Sequence, residues 1–408
     1  MNAAMNLDTE ALILYRWPAE LAAEGAARIR TMVDMAVQRC WQGNLWHCCL
    51  TQALVESENP FSLAWERRSP ERDSLWELAL QDMEVWFRLF RYTEDSSAWR
   101  MIEDFHHAPA GGPGAQALMA LAQQLAAAET PEAMLCLLTA FYRDHGLGML
   151  GLGQVFRVDE AGRLYPVENR RAVHLSDLVG YEDQKRQLVD NTLAFLNGHR
   201  GNNVMLYGDA GTGKSTSIQA LAEEFAPRGL RLVELYKHQF AEIPALFRNI
   251  KNRNYRFILL LDDLSFEENE VEYKYLKAVL EGGAEAAPEN IRIYATSNRR
   301  HLIKETWNDR NDMEHNGDIH RSDTTEEKLS LSARFGLQIF YPNPSFEEYH
   351  AIVQSIAARE AAAAGLTEEQ LRAAASTWQV RHGSRSGRTA RQFVDSLSCR
   401  DTEGKEHT

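Results

Sequence analysis

Gly208-Asp209-Ala210-Gly211-Thr212-Gly213-Lys214-Ser215 fills the pattern G-x-x-x-x-G-K-[ST] completely. It follows the apolar run Val204-Met205-Leu206-Tyr207 directly and opens a helical pattern that continues through Thr216 to about Phe225. The order of the parts gives the pattern its meaning. A strand that ends in a glycine-rich turn and re-enters as a helix aims consecutive backbone N–H groups, and the positive end of the helix, at one point. Such a point suits the oxygens of a phosphate chain. Lys214 is then placed to bridge the β- and γ-phosphates of ATP, and the Ser215 hydroxyl to ligate Mg²⁺.

The texture around this loop fixes the fold class. From about His174 helix and strand signals alternate: a helix over 182–196, a strand over 203–207, a helix to about 225, and a strand over 230–236. Helix 243–250, strand 257–261, helix 271–280 and strands 291–296 and 338–341 complete the run. Alternation of this kind implies crossover connections and a mainly parallel sheet. The expectation is an α/β fold, a P-loop parallel sheet flanked by helices, over residues 174–344. Pro342 and Pro344 end the alternation, and capping boxes at Ser345/Glu348 and Thr367/Gln370 start helices of a lid over residues 345–408. Residues 1–173 read as a mainly helical domain with a small hairpin near its end, 154–159 and 163–168. Seven of the nine Trp fall in the first hundred residues, a density that indicates core packing.

The second chemical element is Phe257-Ile258-Leu259-Leu260-Leu261-Asp262-Asp263, an apolar strand ending in two carboxylates. The first acid of such a strand, Asp262, holds Mg²⁺ through water, and Asp263 is placed to orient or activate an attacking water. The plain alternative makes Asp263 a helix N-cap.

These residues resemble the AAA+ ATPases over roughly residues 174–398. The strings 262–267, 294–302 and 327–337 look more narrowly like a bacterial family of AAA+ ATP-binding proteins of unassigned function. The resemblance implies that Asn298 is the sensor that positions the water, and that Arg334 is an arginine finger reaching a neighbouring subunit's γ-phosphate. It further implies that Arg388, with Arg391 as substitute, is the lid's nucleotide contact, and that the segment Leu178-Val179-Gly180-Tyr181 lies against adenine. Two residues depart from the pattern. Asp263 stands where Glu is common, which points toward the initiator and helicase-loader branch. Ala333 stands where the narrower family has Asp, removing an anchor for the Arg334 guanidinium.

Charge narrows the partner. Forty-four Lys and Arg against 58 Asp and Glu leave −14, so a surface coated for duplex nucleic acid is excluded and any nucleic-acid contact is local. Residues 1–172 carry 15 Arg and 23 acids, so most of the acidity lies in the helical region, whose partner is expected to be a protein. Basic runs at Arg248–Arg256 and Arg381–Arg391 read as solvated faces or nucleotide contacts. No apolar run approaches the roughly 18 residues of a membrane span, the start lacks a secretory pattern, and five unpatterned Cys suggest neither disulfides nor a zinc cage. A cytoplasmic protein follows. Phe240 sits where ring ATPases face a pore, or else anchors a core, and the Asp- and His-bearing stretch 307–325 reads as a polar loop. The functional expectation is an ATPase, assembled from copies of itself, that remodels or loads a protein client. The alternative is a nucleotide-dependent assembly switch with little hydrolysis.

Overall fold

The computed structural model describes residues 11–107, 111–167, 172–266, 270–281, 287–298, 331–360 and 366–403. The chain forms two compact units, one of Met1–Gln154 with Arg253–Tyr255, the other of Val155–Asn252 and Arg256–Thr408.

The first unit is helical: α1 (Gly25–Arg39), α2 (Leu45–Glu56), α3 (Pro60–Trp65), α4 (Ser74–Leu89), α5 (Ser97–Glu103), α6 (Pro113–Ala127), α7 (Pro131–Asp144) and α8 (Gly148–Leu152). Its aromatic wealth is core. Trp41, Trp46, Trp86 and Trp99 are buried, the Trp46 and Trp99 rings lie 5.4 Å apart, and the Trp46 indole N–H donates to the Leu89 carbonyl at 2.8 Å. Buried Asp82 accepts the backbone N–H groups of Ile13, Leu14 and Tyr15, each at 2.8 Å, and so ties the incoming chain to α4. Cys48 and Cys49 are buried thiols. Burial pushes the Cys48 thiol up to about 12, and the residue packs as a small apolar group.

The second unit is built on β1 (Val155–Val158), β2 (Leu164–Pro166), β3 (Val204–Gly208), β4 (Leu230–Leu235), β5 (Arg256–Leu261), β6 (Ile291–Ser297) and β7 (Leu337–Tyr341). The described strands make one sheet in the order β2-β1-β4-β5-β6-β3-β7. All described pairings are parallel except β1 with β2. Between the strands run α9 (Glu182–Leu196), α10 (Lys214–Phe225), α11 (Ile243–Ile250) and α12 (Val271–Glu281). This is the expected P-loop sheet flanked by helices. β5 shows why the sequence reads so clearly: five consecutive residues, Phe257 to Leu261, are buried, as a strand covered on both faces requires.

The hairpin expected at the end of the helical region belongs instead to the sheet. β1 pairs in parallel with β4, Val155 opposite Leu232 and Arg157 opposite Glu234, and buries Val155, Phe156 and Val158. Phe240 is a core anchor, 1% exposed and edge-on to Phe266 at 6.4 Å, so the pore position is overturned for this residue.

After β7 come α13 (Phe346–Glu360), α14 (Glu368–His382) and α15 (Gly387–Glu403), packed around Tyr349, Val353, Leu371, Ala375, Phe393 and Val394. Both capping boxes form, Ser345 with Glu348 and Thr367 with Gln370.

The register sets the site. Leu261 is opposite Ala295, and Leu206 opposite Thr296, so the C-terminal ends of β5, β6 and β3 come together. At the end of β3, Gly208 has φ +139, and an added Cβ would lie 2.0 Å from the Tyr341 carbonyl oxygen of β7. Replacing Gly208 by Ala therefore forces two strands apart. It is expected to cost about 2–4 kcal/mol, read as a lower urea midpoint for the second unit; an unmoved midpoint would contradict the close approach.

Candidate functional site

Gly213, with φ +90, caps the start of α10, and Gly211 has φ +77, left-handed values that glycine adopts without strain. Space is the second reason for glycine here. A Cβ on Gly211 would meet Ser386 Oγ at 2.9 Å and Arg388 Cβ at 3.1 Å, and one on Gly213 would meet Leu178 Cδ2 at 3.0 Å. The loop is thus enclosed by the first turn of α15 and by the segment before α9.

Lys214 begins α10 and is 6% exposed. Its ammonium donates to the Gly208 carbonyl at 2.9 Å, the Asp209 carbonyl at 2.6 Å and Asn298 Oδ1 at 3.1 Å. Burial lowers its pKa, against the opposing pull of Asp209, Asp263 and Asp262. Asn298 turns its amide N–H to Asp263 Oδ1 at 2.7 Å, so amine, amide and carboxylate form one chain.

A second chain runs beside it. The Ser215 hydroxyl donates to Asp262 Oδ1. Thr296 Oγ1 donates to the same oxygen at 2.6 Å and accepts the Asp263 backbone N–H at 2.9 Å. Leu264 N–H to the Thr296 carbonyl, 2.7 Å, and Ser297 Oγ to the Leu264 carbonyl, 2.8 Å, pin the turn after β5. Asp263 is held there at φ +51, a backbone state that costs a non-glycine residue about 1–2 kcal/mol. It caps no helix, because α12 starts only at Val271.

These groups line a cavity of about 680 Å³. Ala210 to Thr216, Asp262, Asp263 and Asn298 face it from the loop and sheet, Leu178 and Val179 from the segment before α9, and Ile352, Ile356, Arg359, Arg388 and Arg391 from the lid. Gly208 and Asp209 contribute the carbonyls that seat Lys214. Gly180, at φ +78, sits beside Val179 without lining the cavity. Arg391 is engaged by Glu360, whereas Arg388 makes no ion pair among the described residues. Arg334 is not brought to this cavity: it pairs with Glu281 at 3.0 Å and lines a separate one with Asn202 and Arg292. The stretch 307–325 lies outside the described residues.

The donor set fits a magnesium–nucleotide. Backbone N–H groups at a helix start and a seated ammonium suit phosphate oxygens, and a hydroxyl beside a carboxylate suits a hard cation that keeps most of its waters. Among the described residues no group of three or more His, Cys, Asp or Glu could hold a metal alone, and no described helix is long and apolar enough to cross a membrane.

Sequence reasoning missed Thr296, although strand alternation places it on the face of Asn298, two residues on. It also missed Ile352, Ile356 and Arg359, which reach the cavity only through lid packing.

A family model described as a protein of unknown function (DUF815) matches residues 153–401. The chain belongs to that family. The DUF815 region takes in β1 and β2, the cavity, α13, α14 and α15 as far as residue 401. No curated protein matches the chain in sequence. Among solved structures, the Thermotoga maritima RuvB Holliday junction branch migration motor is similar at 15% identity over 55% of this chain and 72% of that chain, with a TM-score of 0.33. A variant of that RuvB gives 15%, 55%, 72% and 0.34.

Thr296 offers the sharpest local test. Thr296→Val keeps the shape and strands one acceptor on Asp262 and one backbone donor on Asp263. Magnesium-dependent nucleotide binding is expected to weaken about five- to tenfold with folding retained, measured by titration with a fluorescent ADP at fixed Mg²⁺; an unchanged affinity would remove Thr296 from the site.

Proposed function

We propose that this DUF815 chain is an ATPase of the AAA+ kind, binding ATP with Mg²⁺ beneath the lid and coupling binding and hydrolysis to remodelling or loading of a protein partner. The observation that carries the reading is the pair of hydrogen-bonded chains, Lys214–Asn298–Asp263 and Ser215–Asp262–Thr296, at the ends of three neighbouring strands.

In this reading the loop N–H groups of residues 210–215 and the Lys214 ammonium receive the β- and γ-phosphates. The base enters the apolar slot of Leu178, Val179, Ile352 and Ile356. Ser215 and Asp262 hold Mg²⁺, which would neutralise charge on the phosphate oxygens. Asp263 accepts a hydrogen bond from the attacking water, and Asn298, bonded to both Asp263 and Lys214, places that water in line with the γ-phosphorus. Water then displaces ADP, releasing phosphate. Arg388 touches the phosphates from the lid.

Arg334 serves a neighbouring copy, in a ring or open ring. It lies off its own cavity with its side chain 47% exposed, a state suited to a cation offered outward. Glu281 takes the place of the carboxylate that Ala333 lacks. The acidic helical unit chooses the client, and its charge favours a protein over nucleic acid.

The second reading, an assembly switch with little turnover, is favoured by Asp263 being the shorter acid with one oxygen already taken by Asn298. Phosphate release measured across protein concentrations separates the two. Lys214→Ala is expected to abolish turnover, Asp263→Asn to keep ATP and lose about 100-fold or more in rate, and added Arg334→Ala subunits to depress the unaltered protein more than in proportion. ATP-dependent oligomers with no turnover at any concentration would leave the switch.

A further inference from the structure

The last turn of α13 carries two adjacent charges that reach in different directions. Arg359 spans to the short helical turn Leu175–Asp177, donating to Asp177 Oδ1 at 2.5 Å and to the Asp177 carbonyl at 3.2 Å. Glu360 pairs with Arg391 of α15. The Asp177 carboxylate is fixed from its own side as well, its second oxygen accepting the His174 N–H at 2.9 Å. Both members of the Asp177–Arg359 pair line the nucleotide cavity.

Their positions in the chain give the pair its meaning. Asp177 immediately precedes Leu178 and Val179, one apolar wall of the slot. Arg359 follows Ile352 and Ile356 at +7 and +3, on the helix face that forms the other wall. One ion pair therefore staples the two walls together at their ends, and opening the slot far enough to free a base has to break it. Nothing in the phosphate chemistry calls for these two residues: neither touches the loop, the carboxylates or Asn298.

We propose that Asp177 and Arg359 form a latch across the base slot that sets the rate of nucleotide release. The proposal rests on the cavity being a nucleotide site. Through Glu360 and Arg391 the same turn is tied to α15, so the latch also holds the helix that presents Arg388 to the loop. Asp177 and Arg359 are positioning residues, acting on the nucleotide through the walls they join.

The test is a double-mutant cycle on the full chain, with dissociation of a fluorescent N-methylanthraniloyl-ADP followed by stopped flow. Asp177→Asn keeps the acceptor for the His174 N–H and removes the charge, and Arg359→Gln removes its partner. Each is expected to speed release about three- to fivefold, the size of a part-exposed ion pair. The double variant is expected to match either single one rather than their product, because one interaction is lost only once. Arg359→Lys restores part of the slow release. Affinity for inorganic tripolyphosphate, which has no base, stays unchanged, and that readout separates a latch from general loosening of the unit. Unchanged release, additive effects, or tripolyphosphate affinity falling in step overturns the latch while leaving the site intact. Failure of the unaltered chain to bind the fluorescent ADP overturns the reading of the cavity and the latch with it.

Discussion

A lysine ammonium held away from water is the constraint around which the second unit is arranged. Lys214 is nearly buried, and a buried cation is tolerated only where acceptors surround it. Two of its acceptors are carbonyls of its own loop, and the third is Asn298, which directly follows β6 and is brought near because β6 lies beside β3 in the sheet. Strand order, the glycines and the seat of the lysine are thus parts of one solution. A phosphate chain entering the loop would take over part of that coordination, which frees Asn298 toward the acid beside it.

Asp263 shows a different balance. Its carboxylate is aimed by backbone strain, and the strain is offset by the Thr296 hydroxyl, the Leu264 N–H and the Asn298 amide. An extended residue at the end of β5 would point elsewhere. The unusual φ, in the turn directly after β5, is the means by which two successive acids face the same cavity.

Much of this was legible in the sequence because local order and tertiary role coincide there. The loop motif gave Ala210 to Ser215, and the acidic end of β5 gave Asp262 and Asp263, each inside the element that positions it. The helix over 182–196 and the one ending at Phe225 stand at the bounds that the alternating pattern indicates. What stayed hidden depends on neighbours far away in the chain. Nothing around Val155 says that β4 has a free edge to accept it, nothing around Ile352 says which face of α13 meets the loop, and Phe240 reads alike as a pore residue and as a core anchor until Phe266 is placed against it. Arg334 belongs to the same class: its partner Glu281 sits at the end of α12, and the sequence shows only that the nearer carboxylate is missing.

The adoption of β1 by the sheet bears on how this chain can be divided. β4 is flanked by β5 on one side and by β1 on the other, and β1 is contributed by residues that precede the alternating pattern entirely. A fragment begun at 174, where the sequence texture changes, would bare the stretch of β4 that β1 covers, Leu232 to Glu234, and leave its backbone edge as a template for pairing with other chains. A fragment begun before Val155 would carry its own edge guard, the short antiparallel β2 turned outward beside β1. Where a fragment holding the parallel sheet begins is therefore a matter of solubility as much as of anatomy.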